Sequence, residues 1–141
     1  VITTAYKASS LDKNNLSDLI KKAADKDPLI RYWAVTGLLA LGEQARSATP
    51  VLTATLRDKE VYIATVAAEA LYKLGDKQPA LEYLFKAIKD TSAMIRVQAL
   101  NALQVATPGE LKQVRQVLVA ISNNKSEYDK KAATFLLQHL Q

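Results

Sequence analysis

The chain has no cysteine, one histidine, one methionine, one tryptophan and two phenylalanines. Without cysteine there are no disulfides, no thiol chemistry and no thiolate metal sites. The single histidine, His139, cannot build a histidine-based metal site alone, and it reads instead as a favourable residue at a helix C-terminus. Proline and glycine are scarce, four of each. With so few turn-formers and aromatics, an all-β sandwich is disfavoured. Gly37, Gly42, Gly75 and Gly109 are isolated from one another, so no glycine-rich loop exists to cradle a phosphate. No apolar run approaches the roughly 20 residues of a membrane-spanning helix, and no membrane partner is expected. The stretch from Val1 to Ser10 is polar and short, unlike a signal peptide.

Charge of one sign is never concentrated. The net charge is +5, but the lysines and arginines are scattered, with no long basic run. This pattern serves solubility, whereas a nucleic-acid surface needs its charges gathered on one face. No nucleic-acid partner is expected. The chain begins at Val1 and its only methionine is Met94, so an upstream segment removed by processing or by design is expected.

What is present is alanine, leucine and repetition. The 141 residues are 49% hydrophobic, enough for one domain with a real core. Three segments align without gaps, Asp25 to Gly42, Asp58 to Gly75 and Asp90 to Thr107, with starts 33 and 32 residues apart. Ile30, Ile63 and Ile95 correspond, as do Ala34, Ala67 and Ala99. Gly37, Ala70 and Ala102 keep one position small, and Leu38, Leu71 and Leu103 keep the next large. This spacing is the apolar face of one amphipathic helix. A second helix precedes each, with Leu19, Leu52, Leu84 and Val117 in one register. A weaker fourth copy runs from Tyr128, where Ala132 and Leu136 match.

Helix pairs are therefore expected at 15–24 with 28–42, 49–57 with 60–75, 79–89 with 92–106, and 108–122 with 126–140, leaving 1–14 as an N-terminal extension or linker. Pro28, Pro50, Pro79 and Pro108 each fall in a first helical turn, where the missing N–H costs nothing. Thr107 with Glu110 fits a capping box. Gly42 and Gly75 follow helix ends, where a left-handed residue is needed. The expected fold is all-α, an α-α superhelix (solenoid) of about four helix pairs.

The acidic turn residue followed by Ile-Arg and a small-Leu pair resembles a HEAT repeat. That resemblance implies a structural ladder between units, with Asp25, Arg31, Asp90 and Arg96 as its members. Ala64 replaces the arginine of the middle unit, so the ladder should be broken there. More narrowly, the strings IRYWAVTGLLALG (Ile30 to Gly42) and AAEALYKLG (Ala67 to Gly75), with Ala99 to Leu103, resemble the C-terminal HEAT-like extension of some bacterial sulfatases. This likeness spans roughly Leu16 to Ala106. It implies a periplasmic or secreted protein whose catalytic domain precedes Val1.

The sulfatase reaction itself is not encoded. It needs a formylglycine from Cys/Ser-x-Pro-x-Arg, and in Ser47-Ala48-Thr49-Pro50 the proline comes one place too late. No catalytic residue, metal site or cofactor is expected. The carboxylates Glu43, Asp58, Glu60 and Glu69 are expected to be solvated. His139 precedes Leu140, so the His-Glu pairs of di-iron HEAT hydroxylases are missing too.

With Ala34 buried and about 100° per residue, Tyr32, Thr36 and Leu39 point away from the core, with Trp33 on the flank. The next repeat contributes Thr65, Glu69 and Tyr72. Tyr32, Trp33, Thr36, Leu39, Glu69 and Tyr72 are thus the candidate docking surface, either for the upstream catalytic domain or for another protein. A non-catalytic accessory module of a sulfatase-like hydrolase is the first expectation, and a free-standing protein-interaction scaffold is the alternative.

Overall fold

In the computed structural model, which describes residues 1–140, the chain is helical with no strand among the described residues. The α-helices are α1 (Ile2–Ser9), α2 (Leu16–Lys22), α3 (Pro28–Leu41), α4 (Thr49–Thr55), α5 (Val61–Lys73), α6 (Lys77–Ala87), α7 (Ala93–Ala102), α8 (Pro108–Leu111), α9 (Arg115–Ser122) and α10 (Glu127–Gln138). Helices α2 and α3, α4 and α5, α6 and α7, and α8, α9 and α10 fall close to the spans of the four expected pairs. The fold is all-α, of the α-α solenoid class. Two compact units divide the chain, Val1–Leu81 and Glu82–Gln141.

Local chemistry sets the boundaries. Pro28 opens α3, and the Asp27 side chain accepts the Leu29 N–H at 2.9 Å, satisfying one of the free donors of the first turn. Thr107 and Glu110 form the reciprocal capping box that opens α8. Gly42 (φ +57°) and Gly75 (φ +91°) take the left-handed backbone that ends α3 and α5. Between α3 and α4 the chain continues as a tighter 3-10 segment, Gly42–Ala48, which buries Ala45 and Ala48.

In the first unit, Leu19, Ala34, Leu38, Leu52, Ile63, Ala67 and Leu71 are buried. In the second, Leu84, Ile88, Ala99, Leu100, Leu103, Leu111, Leu118, Ala133 and Leu136 are buried. Each fully buried leucine or isoleucine contributes about 1.5–3 kcal/mol of transfer free energy. In the fourth repeat Ile121 and Leu136 are buried as expected, while Ala132 is half-buried beside a fully buried Ala133, and Leu118 is buried where Val117 was expected. A 3-10 turn at Lys112–Val114 separates α8 from α9. Its tighter winding rotates the following helix relative to a continuous α-helix.

Residues 1–14, expected as an extension or linker, instead carry α1, which packs on α3 and buries Thr4 and Ala8. Contact is closest at Gly37, where a Cβ would lie 2.8 Å from the Ala8 Cα and 2.9 Å from its Cβ. Lys7 bonds Asp18 at 2.9 Å, and Lys22 donates to Thr4 Oγ1 at 3.2 Å, so α1 is also tied to α2. Gly37 stands where the other repeats have Ala70 and Ala102, and there the α1 backbone leaves no room for a Cβ.

Candidate functional site

The two repeat arginines make the same kind of bond, reaching the backbone carbonyls of the aspartates the resemblance pointed to but pairing with other carboxylates. The Arg31 guanidinium grips Asp58 bidentately, Nε at 2.6 Å and the terminal nitrogen at 3.0 Å, and also donates to the Asp25 and Lys26 carbonyls. Arg96 repeats this two repeats along: its Nε donates to Asp129 at 2.7 Å and its Nη1 to the Asp90 and Thr91 carbonyls. Arg31 and Arg96 thus staple successive helix pairs, while Asp25 and Asp90 contribute backbone oxygens. The side chains of Asp25 and Asp90 serve their own turns, accepting the N–H groups of Asp27 and Ser92.

Asp58, expected to be solvated, is therefore a buried rung, with only 8% of its side chain exposed. Asp129 is fully buried. Burial pushes both carboxyls upward, but hydrogen bonds outweigh it and hold both below the usual carboxylate range. The bonds come from Arg31 and the Glu60 N–H for Asp58, and from Arg96, Ser126 and the Lys130 N–H for Asp129. Ala64 stands buried at the matching place in the middle repeat and offers no donor. The other carboxylates are nearer to expectation. Glu43 is exposed and pairs with Arg46, Glu69 is half-buried and bonds Lys73 at 3.2 Å, and Glu60 is half-buried.

The expected docking surface is only partly present. Tyr32, Trp33, Thr36, Leu39 and Glu69 are half-exposed, but Tyr72 is buried, with the Lys77 ammonium 4.9 Å from its ring centroid. Thr65 is also buried and returns its hydroxyl to the Val61 carbonyl at 2.8 Å. Helix α5 is covered more completely than α3, so its middle positions lie inside the unit even where the helical wheel turns them away from Ala67. The Thr36 hydroxyl is out of contact with solvent and has no protein partner; nothing in its surroundings explains this.

Tyr62, which the sequence did not single out, takes the place of Tyr72. The Tyr32 ring lies 5.5 Å from Trp33, edge-on, and 5.7 Å from Tyr62, tilted. Such geometries suit the ring quadrupoles. Leu29, 52% exposed, precedes Tyr32 and Trp33 by three and four residues on α3 and so shares their face. The signal for Tyr62 was its alignment with Leu29 and Met94, one position before each repeat isoleucine.

Among the described residues no three histidine, cysteine, aspartate or glutamate side chains group to hold a metal. None of the described helices is long and apolar enough to cross a membrane. His139 closes α10, its Nδ1 donating to the Phe135 carbonyl at 2.8 Å.

Comparison with known proteins agrees with the repeat geometry. The family model described as HEAT repeats matches residues 14–104. No curated protein matches the chain. The match covers well over half of the sequence and takes in the first two aligned segments, most of the third and the Arg31–Asp58 rung, and the chain belongs to the HEAT-repeat family.

Proposed function

We propose that this HEAT-repeat chain is a protein-docking module whose contact surface in the first unit is the half-exposed face of Leu29, Tyr32, Trp33, Leu39 and Tyr62. One observation carries the reading: the Tyr32 ring stands 5.5 Å from Trp33 and 5.7 Å from Tyr62, all three only partly buried, beside an exposed leucine. Rigid aromatic side chains give large contact area at little entropy cost, and such clusters form the energetic centres of interfaces. The helices beneath are held by the Arg31–Asp58 staple, so the surface needs little ordering when a partner arrives.

The narrower reading is that the partner is the catalytic domain of a sulfatase-like hydrolase, with this chain as its exported, non-catalytic C-terminal part. It is supported by the likeness of Ile30–Gly42 and Ala67–Gly75 to such extensions. Two measurements test the two levels. The coding sequence upstream of Val1 should continue in frame into a Cys/Ser-x-Pro-x-Arg motif, and a stop codon there would remove the sulfatase reading. With that domain expressed separately, calorimetry should show binding that the double variant Tyr32→Ser, Leu39→Ser weakens at least tenfold while its circular dichroism stays unchanged. Unaltered affinity would remove this face as the docking surface.

A further inference from the structure

A second surface lies within the Glu82–Gln141 unit. Ala93, Met94, Val97 and Tyr128 line a shallow, almost wholly apolar groove of about 330 Å³ between α7 and α10. Met94 is 79% and Tyr128 80% exposed, the two most open large apolar side chains of this unit. Both occupy the second position of their helices. The groove walls are fixed, because Arg96 joins the first turn of α7 to Asp129 in the first turn of α10.

The electrostatic surroundings lean positive, although the Asp90 carboxylate accepts the Ser92 N–H at 2.8 Å just before α7 and Glu127 is exposed. Two helix N-termini lie side by side here, and each carries a partial positive charge on its unpaired N–H groups. The first turn of α7 contains no acidic residue, and neither Ser92 nor Ser126 caps its helix backbone with a side-chain bond. The carboxylates of α10 are engaged: Asp129 by Arg96, and Glu127 by Lys130 at 3.8 Å. Lys125 and Lys131 are exposed, and Lys131 follows Tyr128 by three residues, on the same face of α10.

We infer that this groove binds an acidic, amphipathic segment of a partner protein, one apolar side chain seated between Met94 and Tyr128 and its flanking carboxylates facing Lys131 and the two helix N-termini. Methionine suits such a role, since its flexible thioether adapts to differently shaped side chains. The inference rests on the reading of the chain as a protein-docking module but uses other residues than the Tyr32 cluster.

The test uses the full chain and a fluorescein-labelled helical peptide with leucine or phenylalanine at i, i+3, i+4 and i+7 and glutamate elsewhere. A second peptide replaces every glutamate with lysine. Fluorescence anisotropy should show the acidic peptide binding at least tenfold tighter than the basic one, with the difference shrinking at high salt. Met94→Ser and Tyr128→Ser should each weaken it at least fivefold, Lys131→Glu should weaken it at low salt only, and Tyr32→Ser should leave it unchanged. Equal binding of the two peptides, or binding indifferent to Met94→Ser, overturns the inference. Loss with Tyr32→Ser alone would assign the peptide to the first surface. Self-association seen by sedimentation and abolished by Met94→Ser would instead make the groove a homodimer contact and also overturn it.

Discussion

At the scale of single residues, the structure turns on positions where one atom more or less changes the packing. Gly37 is one. An alanine there would gain about 1 kcal/mol of helix propensity, yet its methyl would press on the Ala8 backbone at 2.8 Å and on Leu19 Cδ1 at 3.0 Å. Backbone yields less than a side-chain tip, and overpacking of this kind costs about 1–3 kcal/mol. Gly37→Ala should therefore lower the urea midpoint, and Ala8→Gly should recover part of the loss, a coupling that a double-mutant cycle measures. Arg96 is the other. Arg96→Ala leaves Asp129 fully buried without its cation, and breaking such a pair should cost about 3 kcal/mol. Replacing both partners by Arg96→Met and Asp129→Leu should cost clearly less, because no uncompensated charge remains. Chemical denaturation of the single and double variants decides this.

At the scale of elements, the helix pairs were legible because period, proline, glycine and capping residues agree with one another. The Thr107–Glu110 box is the plainest example, with its two bonds at 3.3 and 2.8 Å. Thr107→Ala should cost about 1 kcal/mol of stability by denaturant titration, and Glu110→Ala added to it should cost little more, since the two bonds act together. Helix α1 was not legible. Thr4 and Ala8 are the only residues it buries, and its other face shows Ile2 and Tyr6 to solvent, so its sequence lacks a strong apolar stripe. The cue lay in its receptor, where Gly37 departs from the alanine of the other repeats. The ladder was legible in its arginines but not in its acceptors. Asp58 could be found as the turn residue of the following repeat, whereas Asp129 sits inside a helix, displaced from the repeat register. Tyr72 failed for another reason: a helical wheel centred on Ala34 gives the direction of a side chain, not how many neighbouring helices close over it.

At the scale of the molecule, each compact unit holds one buried arginine–aspartate staple, and this arrangement sets the response to acid. Asp58 and Asp129 have carboxyl pKa values below the ordinary range in the folded chain, while in the unfolded chain an aspartate titrates near about 3.9. A depressed folded value means that the folded state holds its carboxylate ionised where the unfolded chain has begun to take up protons. The stabilisation is therefore complete above the unfolded value, declines as pH falls below it, and is lost once the folded groups protonate. Thermal unfolding followed by circular dichroism should be level, as far as these groups are concerned, from about pH 8 to pH 5, and should fall below about pH 4. Asp129→Asn should lower the neutral-pH midpoint and flatten the acid limb, because asparagine has no proton to gain. Asp58→Asn should do the same through the other unit, and the double variant should be the flattest. An acid limb of unchanged steepness in both single variants would mean that the staples do not govern acid stability, leaving Asp18 as the next carboxylate to examine, since the Lys7 hydrogen bond lowers its pKa too.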